Sequence, residues 1–273
     1  MKRRDMKALI LRVGGTNCDR ETAVSFRDLG VGQVDVLHTK RVARERSLLD
    51  YHVLVFPGGF AYGDYVRSGV IWAKDVEVNL LDDLTRFINE DRMVLGICNG
   101  FQVLVELGLL PGFKGRSDFP EAVLAPNTSN SYECRWVYVK KISKANCLFT
   151  KLVPQGEVLR FPVAHGEGRF LFPKEKEAEY LETLYENDQL VLRFVKPDGS
   201  PANGEYPYNP NGAFHDIAGI CSPEGNVFGL MPHPERAFFG WQLPDWTRDE
   251  QPQQYGHGKA IFESIIRSVE QRF

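Results

Sequence analysis

Four short, nearly unbroken apolar runs recur in the first hundred residues, at 8–13, 34–37, 53–56 and 93–97. A strand that is apolar at every position is buried on both faces, and such strands belong to parallel sheets covered by helices. The stretches between the runs read as helices. Asp19 caps a segment running to Leu29 and closed by Gly30, and residues 76–89 place Val76, Leu80, Leu84, Phe87 and Ile88 at three-to-four spacing. Strand alternating with helix predicts an α/β fold, a doubly wound, mostly parallel sheet with helices on both faces.

From Arg135 the texture changes. Residues 135–142, 156–163 and 189–195 read as strands joined by turns such as Pro197-Asp198-Gly199 and Asn209-Pro210-Asn211-Gly212, so an antiparallel portion is expected to be appended. Residues 217–222 and 227–231 read as a hairpin, and 257–272 as a closing amphipathic helix. No repeat or low-complexity linker divides the chain, and its 273 residues suit one domain, with 1–5 as an N-terminal extension and 238–256 as an aromatic insertion. The 36 acidic residues against 33 basic ones, with a pI near 6.1, argue against a dedicated nucleic-acid binder. The apolar run after the basic start is too short for a secretion signal, and none is long enough to span a bilayer. Five scattered cysteines, at 18, 98, 134, 147 and 221, suit a reducing compartment, so a cytoplasmic location is expected.

The chemistry concentrates where strands end. In Met93-Val94-Leu95-Gly96-Ile97-Cys98-Asn99-Gly100-Phe101-Gln102 a buried strand stops at a cysteine and continues as a helix. Glycines two before and two after Cys98 are what a sharp strand-to-helix turn needs, the cysteine version of a nucleophile elbow. A helix N-terminus there favours a negatively charged sulfur. A lone cysteine in an apolar strand is more often a small core residue; a second segment shifts that balance. In Met231-Pro232-His233-Pro234-Glu235-Arg236, Pro234 keeps His233 extended, so His233 and Glu235 face the same way and a carboxylate can orient the imidazole. A third strand ends in Pro57-Gly58-Gly59-Phe60, whose bare glycine N–H groups, with the N–H of Asn99, suit an oxyanion hole.

Gly96-Ile97-Cys98-Asn99-Gly100-Phe101-Gln102 together with Pro232-His233-Pro234-Glu235 resembles the class I glutamine amidotransferase family. Gly15-Thr16-Asn17-Cys18-Asp19, the stretch Phe56-Pro57-Gly58-Gly59-Phe60-Ala61-Tyr62-Gly63-Asp64-Tyr65, His165-Gly166-Glu167-Gly168-Arg169-Phe170 and Asn209-Pro210-Asn211-Gly212 narrow the likeness to the glutaminase components of phosphoribosylformylglycinamidine synthases. The resemblance runs from about Met6 to the last helix. It implies a glutaminase of purine biosynthesis, with Cys98 as nucleophile, His233 as general base and acid, Glu235 as its orienter, and Gln102 and the Gly58-Gly59 backbone holding the glutamine amide. Five residues precede Met6, a candidate alternative start. The 238–256 insertion, with Trp241 and Trp246, resembles the large single-chain synthases more than the small bacterial subunits.

No Gly-x-x-x-x-Gly-Lys-Ser/Thr loop and no Gly-x-Gly-x-x-Gly after a strand is present, so no cofactor is expected on this chain; ATP and Mg are expected on a synthetase partner, with a small third subunit. Ammonia released into water would be protonated, so a docked partner and an enclosed passage are expected. The aromatic insertion is a candidate docking or lid surface, although such residues more often pack a long loop down. His165 and Glu167 lack further ligands at usable spacing, so they are read as structural, and no metal site is expected. Cys18 is read as filling a turn. The competing readings are another class I amidotransferase or a γ-glutamyl hydrolase with the same triad, and a non-catalytic regulatory subunit.

Overall fold

The computed structural model describes residues 1–248 and 253–273. Its strands are β1 (Lys7–Arg12), β2 (Gln33–His38), β3 (Val53–Phe56), β4 (Met93–Ile97), β5 (Val123–Ala125), β6 (Glu133–Lys141), β7 (Val158–His165), β8 (Arg169–Leu171), β9 (Leu190–Val195), β10 (Ile217–Cys221) and β11 (Val227–Leu230). Its helices are α1 (Asp19–Asp28), α2 (Thr39–Glu45), α3 (Val70–Asn89), α4 (Asn99–Glu106), α5 (Glu177–Glu186) and α6 (Gly258–Arg272).

Nine strands form one sheet in the order β2-β1-β3-β4-β11-β10-β9-β6-β7, and β5 pairs with β8 apart from it. The pairs from β2 to β11 are parallel, whereas β11-β10, β10-β9, β9-β6 and β6-β7 are antiparallel. The antiparallel portion is appended to the parallel sheet as expected, as its direct continuation: the hairpin β10-β11 joins the two by laying β11 parallel to β4. This brings the end of β11, which leads to His233, beside the end of β4, which leads to Cys98. In β3 and β4 every side chain is buried, as the apolar runs require. By contrast, β2 is an edge strand with no fully buried residue, which corrects the reading of all four runs as covered on both faces.

Helices cover the sheet in two groups. Phe26 of α1 packs edge-on against Phe262 of α6 at 5.1 Å, while Trp72 of α3 donates its indole N–H to Thr39 of α2. Helix α3 buries Trp72, Ala73, Val76, Leu80, Leu84 and Phe87, one stripe at helical spacing, and begins six residues before the expected start. Asp19 is the first residue of α1 rather than its cap; Cys18 holds the cap position, and Asp19 pairs with Arg12. At the N-terminus, Arg3 bonds Glu263 and Glu270 of α6, so the short extension is tied to the last helix. Within the aromatic insertion, Phe238 is fully buried against Phe262, and Trp241 stacks on Phe239 at 5.2 Å but stays 57% exposed. Residues 249–252 of that insertion lie outside the described residues. Among the described residues no helix is long and apolar enough to cross a membrane.

Candidate active site

Cys98 ends β4 with φ +52° and ψ −105°, a conformation that L-residues adopt at a cost on the order of 1–3 kcal/mol. The surrounding glycines make that turn possible. A Cβ on Gly100 would sit 1.8 Å from the Phe56 carbonyl oxygen, and one on Gly96 would sit 2.7 Å from the Gly100 oxygen. Helix α4 thus presses directly on β3 and β4, and the elbow is held from below. The Cys98 N–H donates to the Leu230 oxygen at 2.8 Å, tying the elbow's backbone to β11. The sulfur is almost fully buried, 3.7 Å from the Ala164 oxygen of β7.

His233 is extended, as Pro234 dictates, and its N–H donates to the Pro162 oxygen of β7 at 2.9 Å. Pro234 then opens a 3-10 turn, Pro234–Ala237, so it is the turn as well as the extended backbone that swings Glu235 back to the ring. The imidazole Nδ1 and Glu235 Oε1 are 2.6 Å apart with both side chains sealed from water. Burial alone would depress the imidazole's pKa, but the charges of Glu235 and of a Cys98 thiolate outweigh it and hold it well above the usual range. Nε2 has no hydrogen-bond partner among the described residues, which leaves it free to exchange a proton with Cys98.

The loops at 14–17 and 58–62 interlock at this end of the sheet. The N–H groups of Asn17 and Cys18 donate to the Gly58 oxygen, and that of Phe60 to the Gly15 oxygen. Gly58 passes so near the base that a Cβ would lie 2.7 Å from His233 Cε1. Gly59, at φ +150°, donates its N–H to no protein acceptor among the described residues, and the Asn99 N–H is the first unpaired donor of α4. Both N–H groups are therefore available to an oxyanion. Asn99's side chain accepts from the Ala61 N–H and donates to Gln102 Oε1 at 2.9 Å. Gln102 in turn donates to the Glu167 carbonyl. Its amide is engaged at both ends by protein, which ties it to the 165–168 loop.

That loop explains two motifs. Asn127 donates to the His165 oxygen and accepts from the Gly168 N–H, and Asn211 donates to the Gly168 oxygen. His165 is buried with neither ring nitrogen partnered among the described residues, its pKa pushed down to about 3 by burial and by the neighbouring His233 charge. Glu167 accepts from the Ser68 N–H, which joins this loop to the residues before α3. Sequence reasoning missed the position of Cys18: its sulfur fills the turn as expected, but also lies 3.8 Å from His233 Nδ1. A cavity of about 20 Å³ opens here, lined in part by Cys18, Gly59, Phe60, Tyr132, His233 and Arg236. A larger cavity, about 470 Å³ between residues 152–159 and the start of α6, touches none of the triad.

A family model described as the CobB/CobQ-like glutamine amidotransferase domain matches residues 5–268. The phosphoribosylformylglycinamidine synthase subunit PurQ of Archaeoglobus fulgidus is 48% identical over 280 residues, covering 99% of both chains. That of Methanothrix thermoacetophila is 38% identical over 276 residues, covering 98% of this chain and 99% of the other. These relatives extend across the aromatic insertion, so the insertion does not set the chain apart from separate subunits. Among solved structures, a chain of the PurLQS structure from Thermotoga maritima superimposes with a TM-score of 0.69 at 30% identity, covering 96% of this chain and 98% of that one.

Proposed function

The chain belongs to the CobB/CobQ-like glutamine amidotransferase family, and we infer that it is the glutaminase subunit of phosphoribosylformylglycinamidine synthase in purine biosynthesis. It is an enzyme that releases ammonia from glutamine and works with a synthetase partner, in keeping with its likeness to the PurLQS structure. The observation that carries the reading is the pair of strand ends, β4 and β11, which set a strained cysteine beside a buried, carboxylate-bound imidazole.

In the mechanism this geometry supports, His233 Nε2 takes the Cys98 proton and the thiolate attacks the side-chain amide of glutamine. The oxyanion of the tetrahedral adduct accepts from the Gly59 and Asn99 N–H groups. His233 then gives its proton to the departing nitrogen, ammonia leaves, and a glutamyl thioester stays on Cys98. Water activated by Nε2 hydrolyses the thioester to glutamate. Glu235 holds the ring in the tautomer these transfers need. Gln102 acts by fixing the loop at 165–168. ATP and Mg belong to the synthetase, the ammonia passes between the two through an enclosed route, and the complex works in the cytoplasm. Another amidotransferase or a free γ-glutamyl hydrolase is not favoured by the relatives found.

Co-purification with the synthetase partner, followed by an assay of ATP-dependent, glutamine-dependent amidation of formylglycinamide ribonucleotide, tests the reading. Glutamate release that is full-rate without any partner would point to a hydrolase instead.

A further inference from the structure

Cys18 takes no part in that chemistry, yet it touches the base on the side away from the nucleophile's proton transfer. Its sulfur, a His233 ring nitrogen and a Glu235 carboxylate oxygen lie within 4.8 Å of one another, and all three side chains are buried. Glu235 Oε2 has no hydrogen-bond partner among the described residues. The adjoining cavity of about 20 Å³ is large enough for roughly one water-sized species. We propose that Cys18, His233 and Glu235 form an inhibitory site for a thiophilic divalent cation of the zinc class.

The donor set suits such an ion, and the sulfur–nitrogen distance already matches it. Tetrahedral zinc with sulfur, nitrogen and oxygen ligands sets the sulfur about 3.6 Å from the nitrogen and the nitrogen about 3.4 Å from the oxygen. Sγ and Nδ1 are already 3.8 Å apart, whereas Nδ1 and Oε1, at 2.6 Å, must open by roughly 0.8 Å as the cation replaces the proton between them. Arg236 lines the same cavity, so a cation enters against one positive charge and needs both the thiolate and the carboxylate to be retained. The fourth ligand is a water in the cavity.

Binding removes the base by proton bookkeeping alone. The S–H bond of Cys18 breaks, its proton goes to solvent, and a sulfur–metal bond forms. The Nδ1–H bond gives way to a nitrogen–metal bond. In a neutral ring that proton ends on Nε2; in an imidazolium it leaves and the Nε2 proton stays. Either way Nε2 carries a proton and cannot accept another from Cys98, while Glu235 is drawn off its orienting bond. The site is illegible in the sequence because 215 residues separate Cys18 from His233.

The test uses the complex with its synthetase partner and metal-buffered zinc chloride, with glutamate release as the readout. Wild type should lose activity at least tenfold, recover on adding a chelator, and Cys18→Ser should retain turnover while needing at least tenfold more zinc for the same loss. Equal sensitivity of the two would put the metal on Cys98 and overturn the proposal, as would a wild type that zinc leaves untouched. Cobalt(II) binding to Cys98→Ser protein supplies a readout independent of catalysis, and hence of the glutaminase reading. Thiolate-to-cobalt absorption in the near ultraviolet is expected, and is lost in Cys18→Ser/Cys98→Ser. Its absence from the single variant would equally dispose of the site.

Discussion

Glu235 Oε1 and His233 Nδ1 stand 2.6 Å apart, in a pair from which water is excluded. The carboxylate opposes the effect of burial on the ring, and so keeps the imidazole able to hold a proton. Glu235→Gln removes that charge while conserving shape. Glutamate release by the complex should fall about 10³- to 10⁴-fold, as expected when an orienting carboxylate becomes an amide. The imidazole's titration should also move to lower pH, because the Cys98 thiolate is then left to oppose burial without the carboxylate. A pH–rate profile checks both, and an unchanged profile would show that Glu235 does not govern the ring.

Cys98 is expected to be the one sulfur that a glutamine-mimicking electrophile modifies. Cys134 is exposed, so general thiol reagents should reach it, but it lies in β6 opposite Ala164 rather than at the elbow whose unpaired N–H groups face the site. Peptide mapping after treatment with a glutamine-derived chloroketone should place the adduct on the peptide containing Cys98. Cys98→Ala should abolish both labelling and glutamate release, leaving ammonia-dependent synthesis by the complex intact.

Replacing Gly100 by Ala drives a methyl group to within 1.8 Å of the Phe56 carbonyl oxygen. Backbone on backbone has little room to yield, so a loss of about 3 kcal/mol or more is expected in urea unfolding. Gly166→Ala, whose added Cβ meets nothing within 4 Å, serves as the control and should change stability by under about 1 kcal/mol.

His165 makes a prediction about acid. Its folded-state pKa of about 3 lies below the ordinary 6.5, so the unfolded chain takes up the proton first as pH drops. Its contribution to stability is therefore intact above pH 6.5 and declines at about 1.4 kcal/mol per pH unit between there and 3. His165→Leu should flatten the acid limb of a stability-against-pH curve. A curve as steep as wild type would mean the ring is protonated in the fold.

What the sequence made legible follows from how local each signal is. β3 and β4 are read to the residue because Val53–Phe56 and Met93–Ile97 are buried throughout and end at glycine-bearing turns. Helix α2, Thr39–Glu45, carries four charges in seven residues and buries only Thr39 and Val42, so no apolar stripe announces it. Helix α5 buries Leu184 alone. The start of α3 was hidden because Val70, Ile71, Trp72 and Ala73 are apolar on every side, which shows no period. At the site, the Cys98 elbow and the His233–Glu235 pair are short-range patterns. The engagement of Gln102 with Glu167 and of Cys18 with His233 depends on loops that meet only in the folded chain.

The bond from the His233 N–H to the Pro162 oxygen has a bearing on biosynthesis. The elbow and both glycine loops are synthesised by about residue 102, yet the base follows Cys98 by 135 residues and docks on β7 in the antiparallel half of the sheet. A nascent chain therefore carries its thiol through that whole stretch of synthesis without the imidazole that would deprotonate it. Glutamine in the surrounding cell is spared until the base has been made and has settled on β7.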